Sequence, residues 1–209
     1  MRLSIRNHLL SLVALAPLLA APLPANAQAY CALRDPAPQI YSLFPQATSF
    51  RSHVNVVDQK SRADVGALLP FTLHTRELGQ HTLYVAYAAK RPLGLVHVRS
   101  EPSDWGLVEI AWSLDLEGRI LDFRFQRCRG GACGDVAGGP LRELLANKNL
   151  QELRDLLTPD GAKLNPALLA RESNNIRQLA AVAVRSAAKT AAVTRVVWGA
   201  ELHTTSVQR

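Results

Sequence analysis

Over residues 107–116 apolar and polar side chains alternate. Val108, Ile110, Trp112, Leu114 and Leu116 fall at every second position, with Glu109, Ala111, Ser113 and Asp115 between them. A period of two is the signature of a strand with one face on a core. Glu117-Gly118 is a tight-turn signal, and residues 119–125 return as the second arm of a hairpin. Upstream, residues 71–76, 81–88 and 93–99 have the same extended character, with breaks at 77–80 and 90–92. Gly94 sits inside the last of these strands, where a missing side chain permits a bulge or a close backbone approach. Residues 46–60 are polar and read as irregular or partly extended.

Elsewhere the apolar positions follow a helical period. Residues 35–44 predict a short helix with Ile40, Leu43 and Phe44 on one face, stopped by Pro45. Ser61-Arg-Ala-Asp64 looks like a cap opening a second short helix through Val65, Leu68 and Leu69, ended by Pro70. Pro140 opens a segment with Leu141, Leu144 and Leu145. Asn149-Leu-Gln-Glu152 resembles a capping box for another, through Leu153, Leu156 and Leu157, and Pro159-Asp-Gly161 is a turn. A long helix is predicted over 166–192. Ile176, Leu179, Ala180, Ala183, Ala187 and Ala191 share one of its faces, with Asn174, Gln178, Arg185 and Lys189 opposite. A buried face made mostly of alanine lets such a helix lie close to a sheet. Residues 193–198 are β-branched and predict a final strand, followed by Gly199. Strands in a block, helices in a block and one last strand imply an α+β fold. Its antiparallel sheet would carry helices on one face, with the long C-terminal helix followed by the last strand.

The first residues change the setting of this domain. Arg2 and Arg6 precede an apolar run over 9–23 that Pro17 and Pro22 interrupt, and small residues alternate around Ala25, Ala27 and Ala29. This is the pattern of a secretory signal peptide over 1–29, cleaved near 27–29. A membrane span needs about 20 uninterrupted apolar residues, and no other stretch supplies them. Cys31 follows Gln28-Ala29-Tyr30, which is not a lipoprotein site. The expected location is therefore the periplasm, or beyond the inner membrane. Residues 30–209 would form a single domain of about 180 residues, long enough for an adequate core. The formal charge is +7, or +5 without Arg2 and Arg6, and the basic residues are scattered. No basic stripe marks a nucleic-acid partner.

Export bears on the loop Cys128-Arg-Gly-Gly-Ala-Cys133. In an oxidising compartment a disulfide between Cys128 and Cys133 is the reading favoured, closed by a glycine-rich turn. A redox-active pair activated by Arg127 and Arg129 is the next reading, although there is no Cys-x-x-Cys. A metal site would need further ligands that are not nearby, so none is assigned. Cys31 is an odd third thiol that can pair with either, or between chains. The histidines His53, His74, His81, His97 and His203 have no partner at metal-ligand spacing, and His97 reads as an ordinary strand residue. Ser100, Ser103 and Ser113 lack the context of a hydrolase nucleophile. Trp112 alternates with core residues, whereas Trp105 lies in the loop 101–106 and is the aromatic group better placed to meet a flat ring.

The order of elements resembles the periplasmic FMN-binding domain found in the G subunit of the Rnf electron-transport complex and the C subunit of the sodium-translocating quinone reductase. Leu43-Phe-Pro-Gln-Ala47, Leu93-Gly-Leu-Val-His-Val98 and the hairpin from Ile110 to Leu121 are similar to its elements, over roughly residues 37–200. The family's Ser-Gly-Ala-Thr, whose threonine carries covalent flavin, is replaced here by Arg171-Glu-Ser-Asn-Asn-Ile-Arg177. The resemblance therefore implies flavin-linked electron transfer with non-covalent FMN. The alternative is a cofactor-free structural or interaction protein of the envelope that retains the fold. With FMN, Trp105 would meet the ring, and Arg127 and Arg129, near the helix start at Pro140, would hold the phosphate. The implied partner is a redox or membrane protein of the envelope.

Overall fold

The computed structural model describes residues 34–207, with side chains as far as Leu202. The signal segment, Cys31 and the side chain of His203 lie outside the described residues. Five strands form one antiparallel sheet in sequence order: β1 Ser49–Val57, β2 Gly79–Ala88, β3 Arg91–Ser103, β4 Gly106–Leu114 and β5 Ile120–Arg127. With the helices around it, this is an α+β fold.

The β4–β5 hairpin follows from its alternation. Trp112 stands opposite Phe123 and Ile110 opposite Phe125. Gly118, at φ +85°, supplies the left-handed residue of the turn. The close approach at Gly94 is real. A Cβ there would stand 2.5 Å from the Leu114 carbonyl oxygen and 2.6 Å from Phe44 Cζ. The β2–β3 register shifts beside it, between Ala86 and Tyr87.

One sequence expectation about strands is corrected, and the partly extended reading of 46–60 becomes a full strand. Residues 71–76 carry no strand and instead lead into a single 3-10 turn, Thr75–Glu77. Residues 46–60 contain β1, an edge strand. Its alternation is weak because the face toward α6 carries the polar His53 and Asn55: of its residues only Val57 is buried, while Val54 and Val56, on the other face, are more than half exposed.

Two cores lie on opposite faces of the sheet. The larger joins Leu83, Val85, Leu95, Ile110, Trp112 and Leu114 to α2 (Gln59–Leu68), α3 (Ala132–Gly138), α4 (Pro140–Leu145), α5 (Leu150–Asp155) and α6 (Asn174–Val207). The smaller joins Ala86, Val96, Val98 and Ala111 to Ile40 of α1 (Ala37–Leu43) and to Phe44. Helices are thus not confined to one face, contrary to the sequence expectation, because the short apolar face of α1 finds its own surface on the other side. The predicted capping box is present at α5, where Asn149 Oδ1 accepts from the Glu152 N–H and Glu152 Oε2 from the Asn149 N–H. The cap of α2 is Asp58, ahead of the predicted Ser61, which donates its N–H to it.

The long helix is also shifted. Residues 166–173 are turns, α6 begins at Asn174, and no strand follows it: residues 193–198 continue the helix. Val193, Val196 and Val197 have strand propensity, but tertiary packing overrides it. Ala183, Ala187, Ala191, Thr194 and Trp198 make one buried line against the sheet, so stopping at residue 192 would strand Trp198 outside the core. Lys189 does not face solvent as the helical period suggested. It is buried at the helix–sheet contact.

Candidate functional site

Three polar features stand out around this frame. The first is a groove of about 510 Å³ lying between the β3–β4 turn, the loop over 162–168 and the first turns of α6. Trp105 forms its aromatic wall, Leu164, Leu168 and Ala181 its apolar surface, and Lys163, Arg177 and Arg185 its cations. The turn holds Trp105 in place: its N–H donates to Ser103 Oγ at 3.2 Å, and Ser103 Oγ donates to the Gly106 carbonyl at 2.7 Å. Arg185 lies 4.7 Å from the centroid of Phe71, a cation–π contact that fixes its direction. Among the described residues, none of the three cations pairs with a carboxylate, and Asp104 is the acid that shares the lining. The N-terminus of α6 borders the groove through Asn174, and the helix dipole adds positive potential there.

The second feature is the loop after β5. Cys128 and Cys133 form the expected disulfide, with Cα atoms 6.0 Å apart. The segment read as a plain loop in the sequence also holds α3, whose Ala132 and Val136 are buried. Arg127 and Arg129 line an open recess beside the disulfide. Trp105 does not line that recess. Its indole instead backs onto Gly130, whose φ of +112° leaves space for the ring. The structure thus packs Trp105 against the cysteine loop but sends the two arginines into a different recess, and it gives the groove a cation set that the sequence reading missed.

The third feature is buried between the sheet and α6, and the sequence reading did not anticipate it. Arg99 and Glu101 on β3, Glu77 from the 3-10 turn and Lys189 on α6 form a closed ion network. Lys189 Nζ donates to Glu77 Oε1 at 2.9 Å and to Glu101 Oε2 at 2.8 Å. Arg99 donates to Glu77 through Nη2 and to Glu101 through Nε. Two cations meet two carboxylates with almost no water contact. Burial pushes the Glu77 carboxyl up, but Arg99 and Lys189 outweigh it and hold it at about 2.

Next along the same face are His81 and His97. His81 Nε2 lies 2.8 Å from the Glu77 carbonyl oxygen, which can only accept, so Nε2 carries the proton. His81 Nδ1 then accepts from His97 Nε2 at 3.4 Å. Burial and the Arg99 charge lower His81 to about 4 and His97 well below its ordinary value, so both rings are neutral near pH 7. Trp198 stacks edge-on to His97. The network borders none of the recesses described above, and its chemistry is that of a clamp between α6 and the sheet. A signal for it lay in the sequence: His97, Arg99 and Glu101 occupy alternate positions, one face, of a strand otherwise rich in valine and leucine.

No helix among the described residues is long and apolar enough to cross a membrane. Among the same residues no group of histidine, cysteine and acidic side chains has the arrangement of a metal site. No protein family, no curated protein and no solved structure matches this chain.

Proposed function

We propose that this chain is an exported flavin-linked electron-transfer domain that binds FMN without a covalent bond, in the groove beside Trp105. The observation that carries this reading is the groove's position at the start of α6. The resembled family anchors FMN phosphate at the start of its late helix, and here Asn174 and Arg177 of that helix line the groove. The donor set fits the ligand. Pockets of roughly 300–1,000 Å³ hold cofactor-sized molecules, and this one has an indole and an apolar wall for a flat ring. Lys163 and Arg177 supply charge for a phosphate, and the amides of Asn174 and Gln178 can address polar ring edges. Held there, FMN would supply one- and two-electron chemistry. The protein's part is to bind the phosphate electrostatically and shelter one face of the ring against Trp105. The partner implied by this reading is a redox or membrane protein of the envelope.

The test is to mix the purified protein with FMN and follow flavin fluorescence, then co-elution of flavin absorbance with protein on gel filtration. Quenching and co-elution are expected. Lys163→Gln and Arg177→Gln should each weaken binding roughly tenfold, the scale of one charge-assisted contact to phosphate. Free FMN eluting apart from well-folded protein would overturn the reading. It would leave the second one, a cofactor-free envelope protein that keeps the fold, which the missing threonine in Arg171-Glu-Ser-Asn-Asn-Ile-Arg177 favours.

A further inference from the structure

The recess beside the disulfide has a charge that the described residues neutralise only in part. Arg34, Arg124, Arg127 and Arg129 line about 570 Å³ that opens widely to solvent. Two of these arginines have acidic partners. Arg34 Nε lies 3.9 Å from Glu109 Oε2, and Arg124 Nη1 donates to Asp122 Oδ2 at 2.8 Å. Asp122 is at the same time held by Arg142, whose Nε donates to Oδ1 at 2.6 Å. Among the described residues neither Arg127 nor Arg129 forms an ion pair, although Arg127 stands opposite the buried Glu109 in the β4–β5 register, and the Nε of Arg127 is buried without an acceptor. The two arginines flank Cys128 in the chain. Arg127 is the last residue of β5, and the disulfide closes the chain onto Cys133 at the start of α3. Arg129 is therefore carried on a short ring pinned to a strand and a helix, and Arg127 on the strand end that anchors it, which lowers the ordering cost of binding.

We infer that this recess docks an acidic segment of a partner protein, with Arg127 and Arg129 receiving its carboxylates. The shape favours a chain segment over an enclosed small molecule, because the surface is broad and open. It also favours a protein over a lipid surface. The arginines sit in a concavity, and the large apolar side chains exposed among the described residues are Tyr41, Val54 and Val56, none of which lines it. Stable membrane attachment takes an inserted apolar or lipid group beside the charge. The inference does not depend on flavin, since Arg127 and Arg129 line no part of the groove beside Trp105.

The experiment titrates the protein into a fluorescein-labelled oligoglutamate peptide and follows anisotropy, with oligoglutamine of the same length as the control. Binding of oligoglutamate alone is expected, weakening as salt rises from low to physiological ionic strength. The double variant Arg127→Glu/Arg129→Glu should bind at least about tenfold more weakly. Arg129→Gln alone, at an exposed position, should lose a smaller share without disturbing the fold. Lys163→Gln/Arg177→Gln should bind the peptide like the parent. Equal binding by parent and double variant would overturn the inference. So would a parent that ignores oligoglutamate but binds phosphatidylserine vesicles through the same two arginines.

Discussion

Lys189→Met tests whether the buried ion network clamps α6 to the sheet. Methionine keeps the length and most of the volume of lysine, so packing is nearly conserved and the charge is what changes. In the parent, Lys189 Nζ serves Glu77 at 2.9 Å and Glu101 at 2.8 Å. Without it, two carboxylates buried to within a few per cent share Arg99 alone. Removing one partner from a buried pair costs about 3–5 kcal/mol, most of it the desolvation of the charge left behind. For a chain of this size that is a fall in Tm of about 10 °C. Urea unfolding followed by tryptophan fluorescence is a direct assay, because Trp112 in β4 and Trp198 in α6 are both fully buried and report the two sides of the contact. A second variant separates charge from shape. Lys189→Met/Glu101→Gln leaves Arg99 with one carboxylate and should regain about 1–3 kcal/mol relative to Lys189→Met. A loss below about 1 kcal/mol for Lys189→Met, the worth of an exposed pair, would refute the clamp. So would a double variant no more stable than the single one.

Further outcomes follow from the same structure. Acid should destabilise the fold in two stages with one sign. His81 is lowered to about 4 in the folded state, so between pH 6.5 and 4 the unfolded chain binds a proton that the folded chain refuses, and about 3 kcal/mol is lost as pH falls. Glu77, held at about 2, adds a loss of similar size between pH 4.5 and 2. Urea midpoints measured from pH 7 to 4 check the first stage, which His81→Phe should reduce but not abolish, because the buried His97 resists protonation in the same direction. Gly94→Ala should cost about 1–3 kcal/mol, because its Cβ would meet the Leu114 carbonyl and Phe44 at 2.5 and 2.6 Å; thermal melts report it, with near-UV circular dichroism for the ring. Reducing the Cys128–Cys133 disulfide should cost about 2 kcal/mol for so short a loop, and intact mass before reduction should lack the two thiol hydrogens of this pair.

The parts of the fold legible in the sequence are those where one local rule acts alone. The β4–β5 hairpin has strict alternation and a glycine at its turn, and the cap at Asn149 and Glu152 is spelled out in four residues. The illegible parts are those where the environment reverses a local preference. β1 lies at the sheet edge and meets α6 through the polar His53 and Asn55, so it shows no apolar period. Residues 193–198 are β-branched yet helical, because the line from Ala183 to Trp198 is needed against the sheet. Glu77, Arg99, Glu101 and Lys189 read singly as solvated charges, and only their meeting in space makes burial tolerable. The candidate site was legible in half. Trp105 is recognisable as a tryptophan in a loop, but Lys163 and Arg177 reach the same groove from segments about 60 to 70 residues further along the chain, beyond any spacing rule.

The arrangement separates the anchored stretch of a single helix from the stretch that lines the groove. From Ala180 to Trp198 α6 presents alanine, Lys189 and Trp198 to the sheet, and this stretch carries the clamp. Its first two turns extend past the clamp, where Asn174, Arg177 and Gln178 are exposed and line the groove. A helix held firmly along its middle projects its first turns at a fixed angle without spending apolar surface there, which leaves those positions free to be polar. Trp105 faces them from a turn that is itself backed by Gly130 of the disulfide loop. Two distant constraints, the ion network on α6 and the disulfide after β5, thus set the two walls of the groove. Weakening either should change the groove's shape before it changes its composition. On this argument Lys189→Met and disulfide reduction reach the groove by different walls, and their effects on ligand affinity should add, as expected for sites that share no partner.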